Sequence, residues 1–148
     1  MLRRLIGEHI GLIWNPGVDM KKVKMDPVQI DQLLANLVIN ARDAIADSGT
    51  ITIETGMREV DEEYCHGNPG ATPGLYAVMS LSDDGHGMNN ETIAHIFEPF
   101  FTTKKMGEGT GLGLSTVYGI VKQNKGFIKV YSEPGQGTTF TIHIPIAV

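Results

Sequence analysis

The chain lacks most of what marks the specialised protein classes. It has a single cysteine, Cys65, so no intrachain disulfide staples it, which suits a reducing compartment such as the cytoplasm. No apolar run approaches the ~18 residues that a membrane helix needs, and the opening MLRRLIGE breaks into charge too soon for a signal peptide. A longer parent could carry a membrane anchor elsewhere. Positive charge is scarce as well: 12 Lys and Arg stand against 17 Asp and Glu, a net charge of −5. That balance disfavours a broad footprint on a nucleic-acid backbone and leaves a small anionic ligand open. There is no internal repeat and no domain linker. The remaining composition, 41% hydrophobic and 20% charged over 148 residues, is that of one ordinary globular domain with its own core.

Glycine is the exception. Eighteen residues are glycine, well above the usual share of about 7%, yet they follow no G-X-Y period. They must answer local needs. Around them the elements are readable. Short apolar runs at 11–14 and 23–25 are strand candidates, each stopped by a turn signal. Asp26 followed by Pro27 is a helix start, because Asp caps free N–H groups and Pro fits the first helical position. The spacing of Ile30, Leu33, Leu34, Leu37, Ala41, Ala44 and Ile45 predicts a helix over 27–46. Residues 50–55 and 75–81 read as strands, with a surface loop at 59–74 between them. A short helix near 91–96 and a longer one over 111–124 follow, separated by a polar, glycine-bearing stretch from 102 to 110. A hairpin of strands 127–131 and 138–144, turning at Glu133-Pro134-Gly135-Gln136-Gly137, ends the chain. Strands with β-branched alternation and three helices, each with one apolar face, imply a two-layer α/β sandwich.

Three constellations carry chemistry. On the long helix, Gln32, Asn36, Asn40 and Asp43 fall on one polar stripe beside the leucine face. The stripe is either a solvated helix side or a set of amide oxygens for a hard cation that arrives with phosphate, as Mg²⁺ does. Asparagine is a poor helix-interior residue, which weighs toward the second reading. Asp83 follows a buried-looking strand and is succeeded by Gly85 and Gly87. A carboxylate there accepts a hydrogen bond from an amino group while backbone comes close, unless the segment is only a tight acidic turn. Third, Gly107, Gly109, Gly111 and Gly113 alternate just before a helix, where exposed N–H groups and the helix's positive end attract phosphate. Lys104 and Lys105 precede them and either add charge or stay solvated.

Together these segments resemble the catalytic, ATP-binding domain of two-component sensor histidine kinases, in the superfamily of gyrase, heat-shock chaperone and mismatch-repair ATPases. QLLANLVINARDA (32–44) resembles the asparagine box, DDGHGM (83–88) the first glycine box, and FEPFFTTK (97–104) the phenylalanine box. GTGLGLS (109–115) and EPGQGTTF (133–140) resemble the second and third glycine boxes. The resemblance implies a Bergerat-type fold, a mixed five-stranded sheet covered on one face by three helices, spanning 1–148 as a single domain. It implies ATP and Mg²⁺ as cofactors, with Asn40 and Asn36 at the metal and phosphates. Asp83 is then on the adenine amino group with help from Thr138, and Gly85 and Gly87 shape the adenine pocket. Lys104 and the amides around Gly109, Thr110, Gly111, Leu112 and Gly113 then hold phosphate. Residues from about 98 to 110 become a lid, with 102–110 expected to be disordered without nucleotide.

The same resemblance bears on the reaction. Members that hydrolyse ATP place a Glu, as general base, four residues before the asparagine of N-A-x-D-A; here that position is Asn36. An amide cannot take the proton, so transfer to a separate acceptor is favoured over hydrolysis. The family's acceptor is a histidine in a helical dimerisation segment, and none of His9, His66, His86, His95 and His143 fits that context. The implied partners are therefore a histidine-bearing dimerisation domain and, indirectly, a response-regulator receiver domain. No nucleic acid or direct membrane contact is implied, and the isolated domain is expected to be monomeric and cytoplasmic.

Overall fold

Asp26 and Pro27 do start the first helix: the Asp26 side chain accepts a hydrogen bond from the Val28 amide at 2.9 Å, and the helix, α1, runs over Pro27–Ala44. It buries Leu33, Leu37, Val38 and Ala41, the predicted apolar face. The structure is a computed structural model that describes residues 6–68, 70–101 and 113–146. Its strands are β1 (Ile10–Asn15), β2 (Gly49–Val60), β3 (Gly74–Asp83), β4 (Phe127–Glu133) and β5 (Gly137–Pro145). They form one mixed sheet in the order β1-β2-β3-β5-β4. Only β1 and β2 are parallel; the other pairs are antiparallel.

Register decides what each face holds, because successive side chains alternate across a strand. Ile51, Ile53, Leu81, Phe140 and Ile142 share one face and make the main core with α1 and with α4 (Gly113–Gln123). Short α3 (Asn90–Ile93) leads Ile96 and Phe97 into the same core. The opposite face holds a second cluster. Val60, Tyr76 and Phe127 are buried there, with Tyr64, Cys65 and Val78 packed against them.

That second cluster explains two departures from the sequence reading. Residues 59–74 are not simply a loop: β2 extends to Val60, and a fourth helix, α2 (Glu62–His66), follows. Asp61 caps it by accepting from the Tyr64 amide at 2.8 Å, and Tyr64 then covers apolar surface that would otherwise be wet. Four helices are thus described rather than three. Residues 23–25 are not a strand; Val23 and Met25 instead pack against the core.

Gly119, midway along α4, has no atom of the described residues within 4 Å of where a side chain would begin, its own helix backbone aside. Nothing in the fold requires glycine there, so Gly119→Ala is expected to raise unfolding free energy by about 0.5–1 kcal/mol through helix propensity. Urea denaturation checks this, and a destabilised variant would mean that the helix face at Gly119 has a role the packing does not reveal. Among the described residues, no helix is long and apolar enough to cross a membrane.

Candidate functional site

β3 ends at Asp83 on the helix-covered face, and the chain turns at once into Asp84-Gly85-His86-Gly87. This turn is fastened on three sides. The His86 amide donates to the Ala44 carbonyl at the end of α1, at 2.9 Å. The Thr50 amide donates to Asp84 Oδ1 at 2.8 Å, tying the turn to the start of β2. The Gly135 amide donates to the His86 carbonyl at 2.7 Å, tying it to the β4–β5 hairpin.

The glycines here allow close backbone approach. A Cβ on Gly85 would lie 2.4 Å from the Ala44 carbonyl oxygen, and one on Gly87 2.0 Å from that of Glu133. Gly137 in the hairpin would collide with the Asp83 carbonyl at 2.0 Å. Gly87 and Gly137 also sit at φ +68 and +117, where side chains are strained. These residues shape the pocket by letting α1, the turn and the hairpin close on one another, and it is protein backbone that fills the space.

Asp83 itself is buried. Its Oδ1 accepts from the Gly85 amide at 2.9 Å, while Oδ2 is buried with no hydrogen-bond partner. Burial pushes its carboxyl above the ordinary carboxylate value, with the Asp84 charge adding to it; the Gly85 and Thr138 amides and His86 pull the other way. A buried acceptor without a partner costs free energy, on the order of 1–3 kcal/mol, and such an atom at the end of a strand is a docking point for an N–H donor. Thr138 stands directly opposite Asp83 in the β3–β5 register, and Ser132 directly opposite Thr138 in β4–β5. All three side chains are buried.

Helix packing sets where the predicted groups on α1 stand. Gln29, near the start of α1, bonds Gln123 and Asn124 at the end of α4, so the two helices run antiparallel. At about 1.5 Å per residue, the first residue of α4, Gly113, then comes level with Asn40. Asn40 is one turn before Ala44, whose carbonyl holds the Asp83 turn. Asn36 and Asn40 are half-buried on α1. Asp43 on the same stripe is exposed and pairs with Arg42 at 2.9 Å; Gln32 is exposed. Among the described residues no three His, Cys, Asp or Glu side chains gather as a metal site. Lys104, Gly109, Thr110, Gly111 and Leu112, with the predicted lid over 102–110, lie outside the described residues.

Two groups escaped the sequence reading. The Ala44 carbonyl carries no side-chain signal. Ser132 reads as one more strand serine, yet it accepts from the Met88 amide at 2.8 Å and donates to the Gly137 carbonyl at 2.9 Å. Only the register, which sets it beside Thr138, gives it away.

Comparison with known proteins shows the family. Residues 25–148 match the family described as histidine kinase-, DNA gyrase B-, and HSP90-like ATPases. Over 98% of its length the chain is 46% identical to the sensor kinase CckA of Brucella abortus, and it spans 15% of that relative. Of solved structures, the catalytic domain of histidine kinase ThkA superposes with a TM-score of 0.72 at 28% identity, covering 98% of this chain and 84% of that one. Full-length ShkA in complex with AMPPNP gives 0.72 at 25%, covering 94% and 26%. The chain belongs to the histidine kinase-, DNA gyrase B-, and HSP90-like ATPase family, as a homologue of the catalytic domains of sensor histidine kinases.

Proposed function

We propose that this chain is the nucleotide-binding catalytic unit of a histidine kinase, binding Mg·ATP and presenting the γ-phosphate to a histidine on a dimerisation domain outside it. The observation that carries the reading is the buried Asp83 Oδ2, with no partner among the described residues, level with Thr138 at the end of the central strand β3. It fits the amino group of adenine, which supplies the missing N–H. The AMPPNP bound by ShkA supports an adenine nucleotide in this fold.

In this reading Asp83 and Thr138 take the base, and Asn36 and Asn40 turn amide oxygens toward the cation that accompanies the phosphates. Mg²⁺, when bound, neutralises charge on the transferring phosphoryl group. The backbone N–H groups that open α4 lie where phosphate is favoured by the helix dipole, joined by the amides from Gly109 to Leu112 and by Lys104. This chain's own work is positioning and charge complementarity, most of what phosphoryl transfer requires. Asn36 cannot act as general base toward water, so hydrolysis stays slow and the phosphate waits for a histidine. The unit folds as one domain over 1–148, is monomeric alone and works in the cytoplasm. It serves a response-regulator receiver domain through the phosphohistidine, with no nucleic acid and no membrane contact of its own.

Mixing the chain with a separately made dimerisation helix pair and γ-labelled ATP is the test. Label is expected on the partner's histidine, with none on the chain alone; nucleotide binding without label on that histidine would refute the transfer step. For the metal, Asn40→Ala is expected to weaken ATP binding on the order of tenfold with Mg²⁺ present, the worth of about 1.4 kcal/mol. Without Mg²⁺ the change should be much smaller. Calorimetry showing equal losses would remove Asn40 from the metal.

A further inference from the structure

We infer that Ser132 fixes the hydrogen-bond polarity of Thr138 and so makes this pocket select a purine bearing an amino group at its 6-position over one bearing a carbonyl. The inference rests on the nucleotide reading above and adds to it a residue that never touches the ligand.

A serine hydroxyl has one proton to give and two lone pairs with which to accept. Around Ser132 Oγ three partners use all three. Its proton goes to the Gly137 carbonyl, 2.9 Å away, because a carbonyl can only accept. One lone pair takes the Met88 amide at 2.8 Å. The remaining contact, to Thr138 Oγ1 at 2.8 Å, must then run from threonine to serine. The Thr138 proton is committed toward β4, and only lone pairs remain for a ligand.

Asp83 Oδ2 is likewise an acceptor without a partner. Since Asp83, Thr138 and Ser132 stand opposite one another on three adjacent strands, the row presents two acceptors and no donor. A free hydroxyl would rotate to suit either an amino group or a carbonyl. This one is held by a neighbour whose bonding capacity is full, in a site where Thr138 and Ser132 are both buried. At the 6-position an amino group is matched, whereas a carbonyl meets two acceptors, even though the N1 proton of a 6-oxopurine could still reach one of them. Ser132 is thus a positioning residue, acting through Thr138.

Dissociation constants for ATP and ITP, which differ in the amino group or carbonyl at this position, test it in the wild-type chain, Ser132→Ala, Thr138→Val and the double variant. Wild type is expected to favour ATP. Ser132→Ala frees the threonine proton and should cut the ATP-over-ITP preference roughly fivefold to tenfold, the worth of one neutral hydrogen bond. In the Thr138→Val background the same serine change should leave the preference where it was. Where Ser132→Ala is too unstable to assay, Ser132→Cys keeps a weak donor but is a poor acceptor and must move the preference the same way. Equal weakening of both nucleotides, a rise in the preference, or the same shift without the Thr138 hydroxyl would each overturn the inference and leave the nucleotide reading standing. A wild-type chain that binds neither nucleotide would overturn both.

Discussion

Asp83→Asn is expected to lower ATP affinity by at least about a hundredfold while leaving the fold as stable as before or more so. The two halves of that expectation have one cause. Asp83 Oδ2 is a buried acceptor with no partner in the chain, so in the folded protein its charge is a liability, and burial already pushes its pKa up. Asparagine keeps an oxygen for the Gly85 amide, now at 2.9 Å from Oδ1, and removes the charge. It also puts an NH₂ group where Oδ2 was. A ligand amino group would then meet a donor and lose a charge-assisted bond worth on the order of 1.5–3 kcal/mol, with an unsatisfied donor added. Calorimetry for ATP beside urea denaturation separates the effects. Unchanged affinity would remove Asp83 from the base, and a large drop in stability would mean that the carboxylate is structural. Acidification should mimic the substitution, since protonated Asp83 is a donor. Because the folded pKa is raised, affinity should fall at a pH above the ordinary carboxylate range.

The parts of this site visible in the sequence are those whose chemistry and local geometry coincide. Asp26-Pro27 and the leucine spacing place α1, and with it the stripe bearing Asn36 and Asn40. The D-x-G-x-G segment marks a strand end where something must approach closely. What approaches is backbone: Cβ atoms on Gly85, Gly87 and Gly137 would strike the Ala44, Glu133 and Asp83 backbone. Glycine reports a close approach without reporting its partner, which comes from 41 to 54 residues away in each case. The bond from Thr138 to Ser132 was hidden for the same reason, since it exists only once β4 and β5 pair in register. Residues 59–74 were read by composition, and their acidic and glycine content concealed Asp61 as a helix cap and Tyr64 as a lid on apolar surface. The face that Tyr64 covers was the least legible part, because a strand with polar residues on one side announces solvent there.

That face carries the second large expectation: between about pH 6.5 and pH 4 the protein should lose on the order of 3 kcal/mol of stability through one residue, His143. The ring is completely buried, stacked on Phe127 at 4.2 Å and flanked by Tyr64 and Tyr76. Neither ring nitrogen has a hydrogen-bond partner. Burial first, then the charges of Arg58 on β2 and Lys129 on β4, lower its pKa from 6.5 to about 4. Arg58 is held nearby over the Tyr64 ring at 4.4 Å, and Lys129 bonds Asn68, so neither cation is free to move away. Below pH 6.5 the unfolded chain takes up a proton that the folded chain refuses until about pH 4. Stability from this residue is therefore complete above pH 6.5 and declines as pH falls across that window. His143→Phe keeps the stacked ring and removes both nitrogens. Its unfolding free energy should match or exceed that of wild type at pH 7.5 and exceed it by a further 2–3 kcal/mol, roughly, at pH 4.5. Comparing the two proteins cancels the other titrating groups, including Asp83, whose raised pKa acts in the opposite direction as pH falls. Denaturation curves with the same pH dependence for both would show that His143 is not the buried, neutral residue the packing requires.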